Sequence, residues 1–338
     1  MKRIGNLKRI WCNLETLIKA FREVKKGKNY DSDVLEYEQN LIPNLIRLLE
    51  RLENGSYTPK PPKVFTILEP KERIIEAPAL EDRIVHHSLL IATKQYIENR
   101  FINNSFACRK NKGTHKASNS LLSGMRANPK GYYLKMDIKK FFYSIDQSSI
   151  TDLLSRIIKC QPTLELYKKF YINDSGKGLP LGNVTSQVLA NLALNPVDHY
   201  IKRALKCKYY YRYMDDMVIL SNSKTDLQLY LINIKNILQG LKLSLNTKTK
   251  IDKISNGIDF VGYRTWINRR VIRKRSLYSI RKKLKINTTI QRVSSFLAHS
   301  KNTDSLKYVI TIILFVAPNM KYYVQKWLIN NRGEYAIL

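Results

Sequence analysis

Two acidic features stand out by what surrounds them. Asp137 closes the apolar part of Leu134-Lys135-Met136-Asp137-Ile138-Lys139-Lys140-Phe141-Phe142, so an acid ends a short hydrophobic run and an aromatic follows five residues later. Asp215 and Asp216 sit between Tyr209-Tyr210-Tyr211-Arg212-Tyr213-Met214 and Met217-Val218-Ile219-Leu220. Neighbouring aspartates mean little among 27 acids, most of which belong on solvated turns. Apolar flanks change that, because carboxylates enclosed by buried strands are costly unless a cation neutralises them, and a pair of divalent metal ions is the usual solution. Two Mg²⁺ ions about 3.5–4 Å apart, held by carboxylates from adjacent strands, can lower the pKa of an attacking 3′-hydroxyl and stabilise a leaving pyrophosphate. Asp137 and Asp215 are the expected ligands, with Mn²⁺ able to substitute. Asp216 either joins them or orients the hairpin.

Such ligands need a frame, and the patterning supplies one. Tyr132 to Met136 reads as a short buried strand, and Tyr209 to Leu220 as two strands folded at Asp215-Asp216. Helical patterns cover Ser149 to Ile158 and Ser186 to Leu205, which predicts an α+β sheet backed by helices. Upstream, Trp11, Leu14, Ile18 and Phe21, then Leu45, Leu48, Leu49 and Leu52, recur at helical spacing until Asn54-Gly55. Pro59, Pro61 and Pro62 mark a boundary. Val64 to Ala77 reads as a hairpin turning at Glu69-Pro70-Lys71, and Glu81 to Phe101 as a helix. The expected segments are 1–60, a helical extension; 61–130; 131–265, carrying the acids; and 266–338, basic and helical.

The charge balance names the class of partner. With 59 Lys+Arg against 27 Asp+Glu, the chain carries a formal +32, and 44% hydrophobic residues put that charge on a folded body. A wide basic surface suits nucleic acid better than a membrane, which asks only for a local patch. From Phe260 through Thr303 there is no acid but twelve Lys or Arg, while Trp266, Leu277, Ile280, Leu284 and Phe296 argue for helices with one apolar face and one phosphate-facing surface. Cys12, Cys108, Cys160 and Cys207 are too scattered for a zinc knuckle or a disulfide framework, and Val309 to Ala317 is well short of a membrane span. The expected location is cytoplasmic. His86, His87 and His115 lack the partner spacing of a zinc site and read as structural or phosphate-contacting.

Tyr213-Met214-Asp215-Asp216 resembles the palm motif of reverse transcriptases, and Asp137 with Phe142 resembles their first palm motif. Further blocks follow in the family's order from about Val64 to Tyr263. Gly178-Leu179-Pro180-Leu181-Gly182-Asn183-Val184-Thr185-Ser186-Gln187 is similar to the segment under template and incoming nucleotide, which would make Leu181 and Gln187 nucleotide-binding. Many relatives hold Gln at the position of Leu181, and an apolar residue there puts accurate copying in doubt. By the same resemblance Phe142 is the steric gate against a ribose 2′-hydroxyl, its other reading being a core aromatic. Lys71-Glu72-Arg73 and Cys108-Arg109-Lys110-Asn111-Lys112-Gly113-Thr114-His115 resemble fingers elements. This implies that Arg73 and Arg109 grip the triphosphate and that Lys71, Lys110 and Lys112 contact nucleic acid. Leu243 to Thr249 resembles the motif whose lysine protonates pyrophosphate, so Lys248 is either that acid or an exposed salt-bridging lysine. Phe260-Val261-Gly262-Tyr263 resembles the primer-grip hairpin, with Arg273, Lys274 and Arg275 beyond it on a basic thumb.

The resemblance implies a right-hand polymerase fold (fingers 61–130, palm 131–265, thumb 266–338) making DNA on an RNA template from deoxynucleoside triphosphates. The roughly 75 residues after Tyr263 are expected to leave no room for a ribonuclease H or maturase region. Asp82-Arg83-Ile84-Val85-His86-His87, the Ala107 to His115 block and Arg212-Tyr213-Met214-Asp215-Asp216 look most like reverse transcriptases of diversity-generating retroelements. Those enzymes copy a noncoding template RNA with errors at adenines, with a small basic helical accessory protein as partner. The alternative is an anti-phage defence reverse transcriptase copying a structured noncoding RNA. A non-catalytic RNA-binding scaffold is disfavoured, since it has no need of buried acids.

Overall fold

The structure, a computed structural model, describes residues 3–28, 31–68 and 72–332. The chain divides into two compact units, each assembled from three segments. The first comprises Met1–Arg109, Asp137–Lys208 and Ile232–Thr247; the second comprises Lys110–Met136, Tyr209–Leu231 and Lys248–Leu338.

In the first unit the helix Leu80–Glu98 is the central rod. It packs on Leu14–Lys25 and on Val184–Ala193. Leu14–Lys25 begins at Asn13, whose side chain accepts from the Thr16 amide, and buries Leu17, Ala20, Phe21 and Val24. Polar ties lock the rod's flanks: Thr93 Oγ1 meets the Tyr167 hydroxyl at 2.6 Å, and the Tyr57 hydroxyl donates to Asp82 Oδ1 at 2.6 Å. The hairpin expected over 64–77 forms as β1 (Lys63–Ile67) and β2 (Arg73–Ala77), paired from Lys63↔Ala77 to Ile67↔Arg73. Its expected turn at Glu69-Pro70-Lys71 lies outside the described residues. The helix expected over Ser186–Leu205 is broken. It runs Val184–Ala193, restarts as Asn195–His199 and ends in a π turn over Tyr200–Ala204. Pro196 has no amide hydrogen to give back to Leu192, so the ladder cannot pass it.

The second unit holds two antiparallel sheets. The larger comprises β3 (Tyr132–Met136), β4 (Tyr209–Tyr213), β5 (Asp216–Ser221) and β6 (Lys250–Lys253), in the order β4-β5-β3-β6. Register runs Tyr132↔Ser221 to Met136↔Met217, and Tyr209↔Leu220 to Tyr213↔Asp216. The helix Thr114–Ala127 packs closely on β4 at Gly124, where a Cβ would run into the Tyr211 hydroxyl and force that side chain to shift. The smaller sheet is β7 (Ile258–Phe260), β8 (Tyr263–Thr265) and β9 (Arg270–Ile272). Four helices follow: Lys274–Ile286, Ile290–Ser300, Leu306–Val316 and Lys321–Arg332. Ile280, Leu284, Val293, Leu297, Val309 and Ile313 close their core against Tyr263 and Ile272. The expected amphipathic reading of this basic stretch therefore holds in its apolar half. No helix among the described residues is long and apolar enough to cross a membrane.

Candidate active site

The acidic hairpin is built in the second unit. Because Tyr213 pairs with Asp216, only Met214 and Asp215 form the turn, and Met214 takes φ +56°. Two-residue hairpin turns need such left-handed positions and favour glycine or asparagine there, so a methionine stores about 1–2 kcal/mol of strain. Arg212 helps to hold it. Its side chain is fully buried and Nη1 donates to the Met214 carbonyl at 3.1 Å. Asp216 is gripped from β3: Lys135 Nζ lies 3.0 Å from Oδ1 and 3.2 Å from Oδ2. That lysine also donates to the backbone carbonyl of Asp259 in β7. The donors offered by Asp215 and Asp216 are hard oxygens, the chemistry that suits Mg²⁺ or Mn²⁺. Among the described residues no group of three or more His, Cys, Asp or Glu side chains is gathered as a metal cage.

Asp137 directly follows β3, whose last residue, Met136, pairs with Met217. Within the first unit its backbone is fixed by the 244–246 segment: the Asn246 amide donates to the Asp137 carbonyl at 2.7 Å, and the Lys139 amide to that of Ser244 at 2.9 Å. Asn246 Nδ2 also reaches Asp137 Oδ2 at 3.3 Å. Asn246 had no role in the sequence pattern beyond its place in a motif. Phe142, half-buried, follows Lys140 at φ +48° and stands edge-on to Phe141 with ring centroids 5.7 Å apart. It is thus not a fully buried core aromatic.

The glycine-rich loop is held from three sides, all within the first unit. Leu179 donates its amide to the Phe142 carbonyl at 2.8 Å, and Gly178 to that of Ile145 at 2.8 Å. Gln147, nearly fully buried, donates Nε2 to the Gly178 carbonyl at 2.9 Å. On the far side the Glu76 amide in β2 donates to the Leu181 carbonyl at 2.7 Å. Gly182 sits at φ +125°, and a Cβ there would stand 2.6 Å from the Glu76 carbonyl oxygen. Glycine is therefore required both for the backbone angle and for the approach of β2. Beside this loop opens a cavity of about 420 Å³ lined by Lys60, Glu76, Tyr143, Lys177, Gly178 and Asn183, among others. Leu181 is half-buried and Gln187 exposed.

The cationic candidates divide. Arg73 is exposed at the start of β2, and Lys110, Lys248, Lys274 and Arg275 are exposed; Lys112 is half-buried. Lys71 lies outside the described residues. Arg109, expected to grip the triphosphate, is engaged here by its own loop. Its side chain is only 12% exposed, with Nη1 donating to the carbonyls of Ile102 and Ser105 at 2.8 Å each and the guanidinium over the Phe101 ring. It braces its own loop. Arg273 likewise lies 3.4 Å from Asp259 Oδ1, so part of its charge is committed within the protein. His86 is structural: its Nδ1 meets Thr185 Oγ1 at 2.8 Å, its ring lies 3.8 Å from that of Phe170, and burial pushes its pKa down to about 3.

Comparison with known proteins gives these features a family. The family model described as reverse transcriptase (RNA-dependent DNA polymerase) matches residues 59–265. Protein YkfC of Escherichia coli (strain K12) is 26% identical over 330 residues, covering 82% of this chain and 85% of YkfC. Retron Ec73 reverse transcriptase of Escherichia coli is 25% identical over 309 residues, covering 81% and 91%. The group II intron-encoded protein LtrA of Lactococcus lactis subsp. cremoris is 25% identical over 178 residues, 48% of this chain and 29% of LtrA. Among solved structures, apo telomerase from Candida tropicalis superposes with a TM-score of 0.49 at 11% identity, covering 82% of this chain and 62% of the telomerase chain. This chain spans about three fifths of the telomerase chains it matches. With more than half of its residues matched by the family model, the chain belongs to the reverse transcriptase family of RNA-dependent DNA polymerases.

Proposed function

We propose that this reverse transcriptase copies a noncoding template RNA into cDNA, with Asp137, Asp215 and Asp216 presenting carboxylates to two Mg²⁺ ions. The observation that carries this reading is a strained, buttressed hairpin presenting Asp215 and Asp216, its strand β5 paired with β3. When bound, the ions supply charge neutralisation at the attacking 3′-oxygen and the leaving pyrophosphate. The chain's own part is to orient. Asn246 steadies Asp137, Arg212 fixes the turn, Phe142 excludes a ribose 2′-hydroxyl, Arg73 meets the triphosphate from β2, and Lys71 contacts nucleic acid. Gln187 and Leu181 border the nucleotide, and Lys248 is placed by its motif to protonate pyrophosphate. Lys110, Lys112, Lys274 and Arg275 extend the hold on template and primer. Asp137→Asn and Asp215→Asn should abolish deoxynucleotide incorporation while leaving RNA binding and melting temperature near those of the parent. Synthesis retained by both would refute the assignment.

The biological role we favour is error-prone copying for a diversity-generating retroelement, with a small basic helical accessory protein as partner. Leu181 supports it, since an apolar side chain beside the nascent pair leaves discrimination to base pairing and shape. The match with a retron reverse transcriptase along 91% of its length favours a second reading, cDNA synthesis on a structured noncoding RNA, as in anti-phage defence. Deep sequencing of the cDNA decides between them: errors concentrated at template adenines support the retroelement, and accurate or evenly spread errors support the other.

A further inference from the structure

Lys135 stands two residues before Asp137, between Leu134 and Met136, both fully buried. An ammonium in such a strand is costly unless fully engaged. It is engaged twice: its side chain, 19% exposed, grips both oxygens of Asp216 in β5 and donates to the Asp259 carbonyl in β7. Asp259 carries the path onward, because its carboxylate lies 3.4 Å from both Arg264 Nη1 and Arg273 Nε. Arg273 is the residue from which the helix Lys274–Ile286 starts, and its amide bonds to the Gly262 carbonyl at 3.3 Å. One side chain thus joins the acidic hairpin to the sheet from which the basic helices depart.

We propose that Lys135 is a positioning residue, a cationic strut that couples Asp216 to β7 and so sets the acidic hairpin relative to the β7–β8–β9 sheet within this unit. This deepens the polymerase reading and rests on it. A salt bridge serving stability alone would raise the melting temperature and do nothing else. A strut makes two separate segments answer to one side chain.

The test is hydrogen–deuterium exchange of the full-length protein without metal or nucleic acid, together with primer extension. Lys135→Met should speed exchange in both the 212–217 and the 258–261 segments. It should also lower the rate constant at saturating deoxynucleotide by about two- to thirtyfold, the usual range for removing one coupling element, with KM for the deoxynucleotide unchanged. Lys135→Arg, which keeps the charge and the reach, should restore all three. If Lys135→Met does not fold, Lys135→Gln is read in the same two segments by the same criterion. Faster exchange in one segment only, or in neither, overturns the proposal, as does an equal loss in the Met and Arg variants that follows their melting temperatures. A parent protein that incorporates no deoxynucleotide with Mg²⁺ or Mn²⁺ would overturn the polymerase reading instead, and the exchange result would still stand.

Discussion

Replacing Gly182 by alanine should detach the β1–β2 hairpin from the glycine-rich loop while leaving the rest of the first unit folded. At φ +125° an L-residue is strained by about 1–3 kcal/mol. The new Cβ would also meet the Glu76 carbonyl oxygen at 2.6 Å, a backbone atom that cannot rotate away as a side-chain tip could. The least disruptive relief is to part β2 from the loop, which breaks the 2.7 Å bond from the Glu76 amide to Leu181 and forfeits about another 1 kcal/mol. Together about 2–4 kcal/mol is lost locally, or about 30- to 900-fold in the opening equilibrium. Hydrogen–deuterium exchange should therefore accelerate by that order in peptides covering residues 72–78. Peptides from Leu80–Glu98 should be unchanged. In primer extension KM for the deoxynucleotide should rise, because Arg73 rides on the same strand. Unchanged protection over 72–78 would refute the reasoning, since it would mean the loop accommodates a Cβ without releasing the hairpin.

Phe142→Ala should admit ribonucleotides, by about tenfold if the ring's exclusion is worth about 1.4 kcal/mol, measured as the ratio of ribo- to deoxynucleotide incorporation; an unchanged ratio places the gate elsewhere. Lys274→Ala with Arg275→Ala should lower the slope of log affinity against log salt for an RNA–DNA duplex by about 0.7–0.9 for each phosphate no longer neutralised, and Arg273→Ala should lower it less because Asp259 already holds part of that charge. Stability should fall on acidification from about pH 6.5 to 5. His86 titrates near 6.5 when unfolded and near 3 when folded, so below 6.5 the unfolded chain takes up a proton that the folded one refuses, at up to about 1.4 kcal/mol per pH unit. His115 and His299, also lowered by burial, act in the same sense, and a thermal melt of His86→Gln should show a shallower pH slope than the parent.

Features whose partners lie close in sequence were legible beforehand. The acidic hairpin, β3 and the β1–β2 hairpin follow from alternation and turn residues within a dozen positions, and the glycine-rich loop announces close approach by its composition. Features set by distant partners were hidden. Nothing local shows that Arg109 lies against Phe101 and braces its own loop; that burial is a property of the fold. Nothing in the local pattern marks Lys135 or Asn246, whose partners Asp216, Asp259 and Asp137 lie far along the chain. The break at Pro196 could have been anticipated, since proline inside a helical pattern is a breaker, but the apolar periodicity on both sides masked it.

The threading of the two units has a consequence for how the protein is made. The first unit needs Met1–Arg109, but also Asp137–Lys208 and Ile232–Thr247, so its last segment leaves the ribosome on the order of ten seconds after its first is complete. During that interval the helix Leu80–Glu98 has been synthesised without the partner helix Val184–Ala193 that later covers it. The nascent chain therefore displays apolar surface and a growing excess of positive charge at once. Vectorial synthesis should make this protein depend on holdase chaperones, or on RNA already at hand, until Thr247 has emerged. Ribosome-stalled chains ending soon after Lys208 should be protease-sensitive throughout, whereas chains long enough to expose Thr247 should acquire resistance over residues 1–109 in a single step.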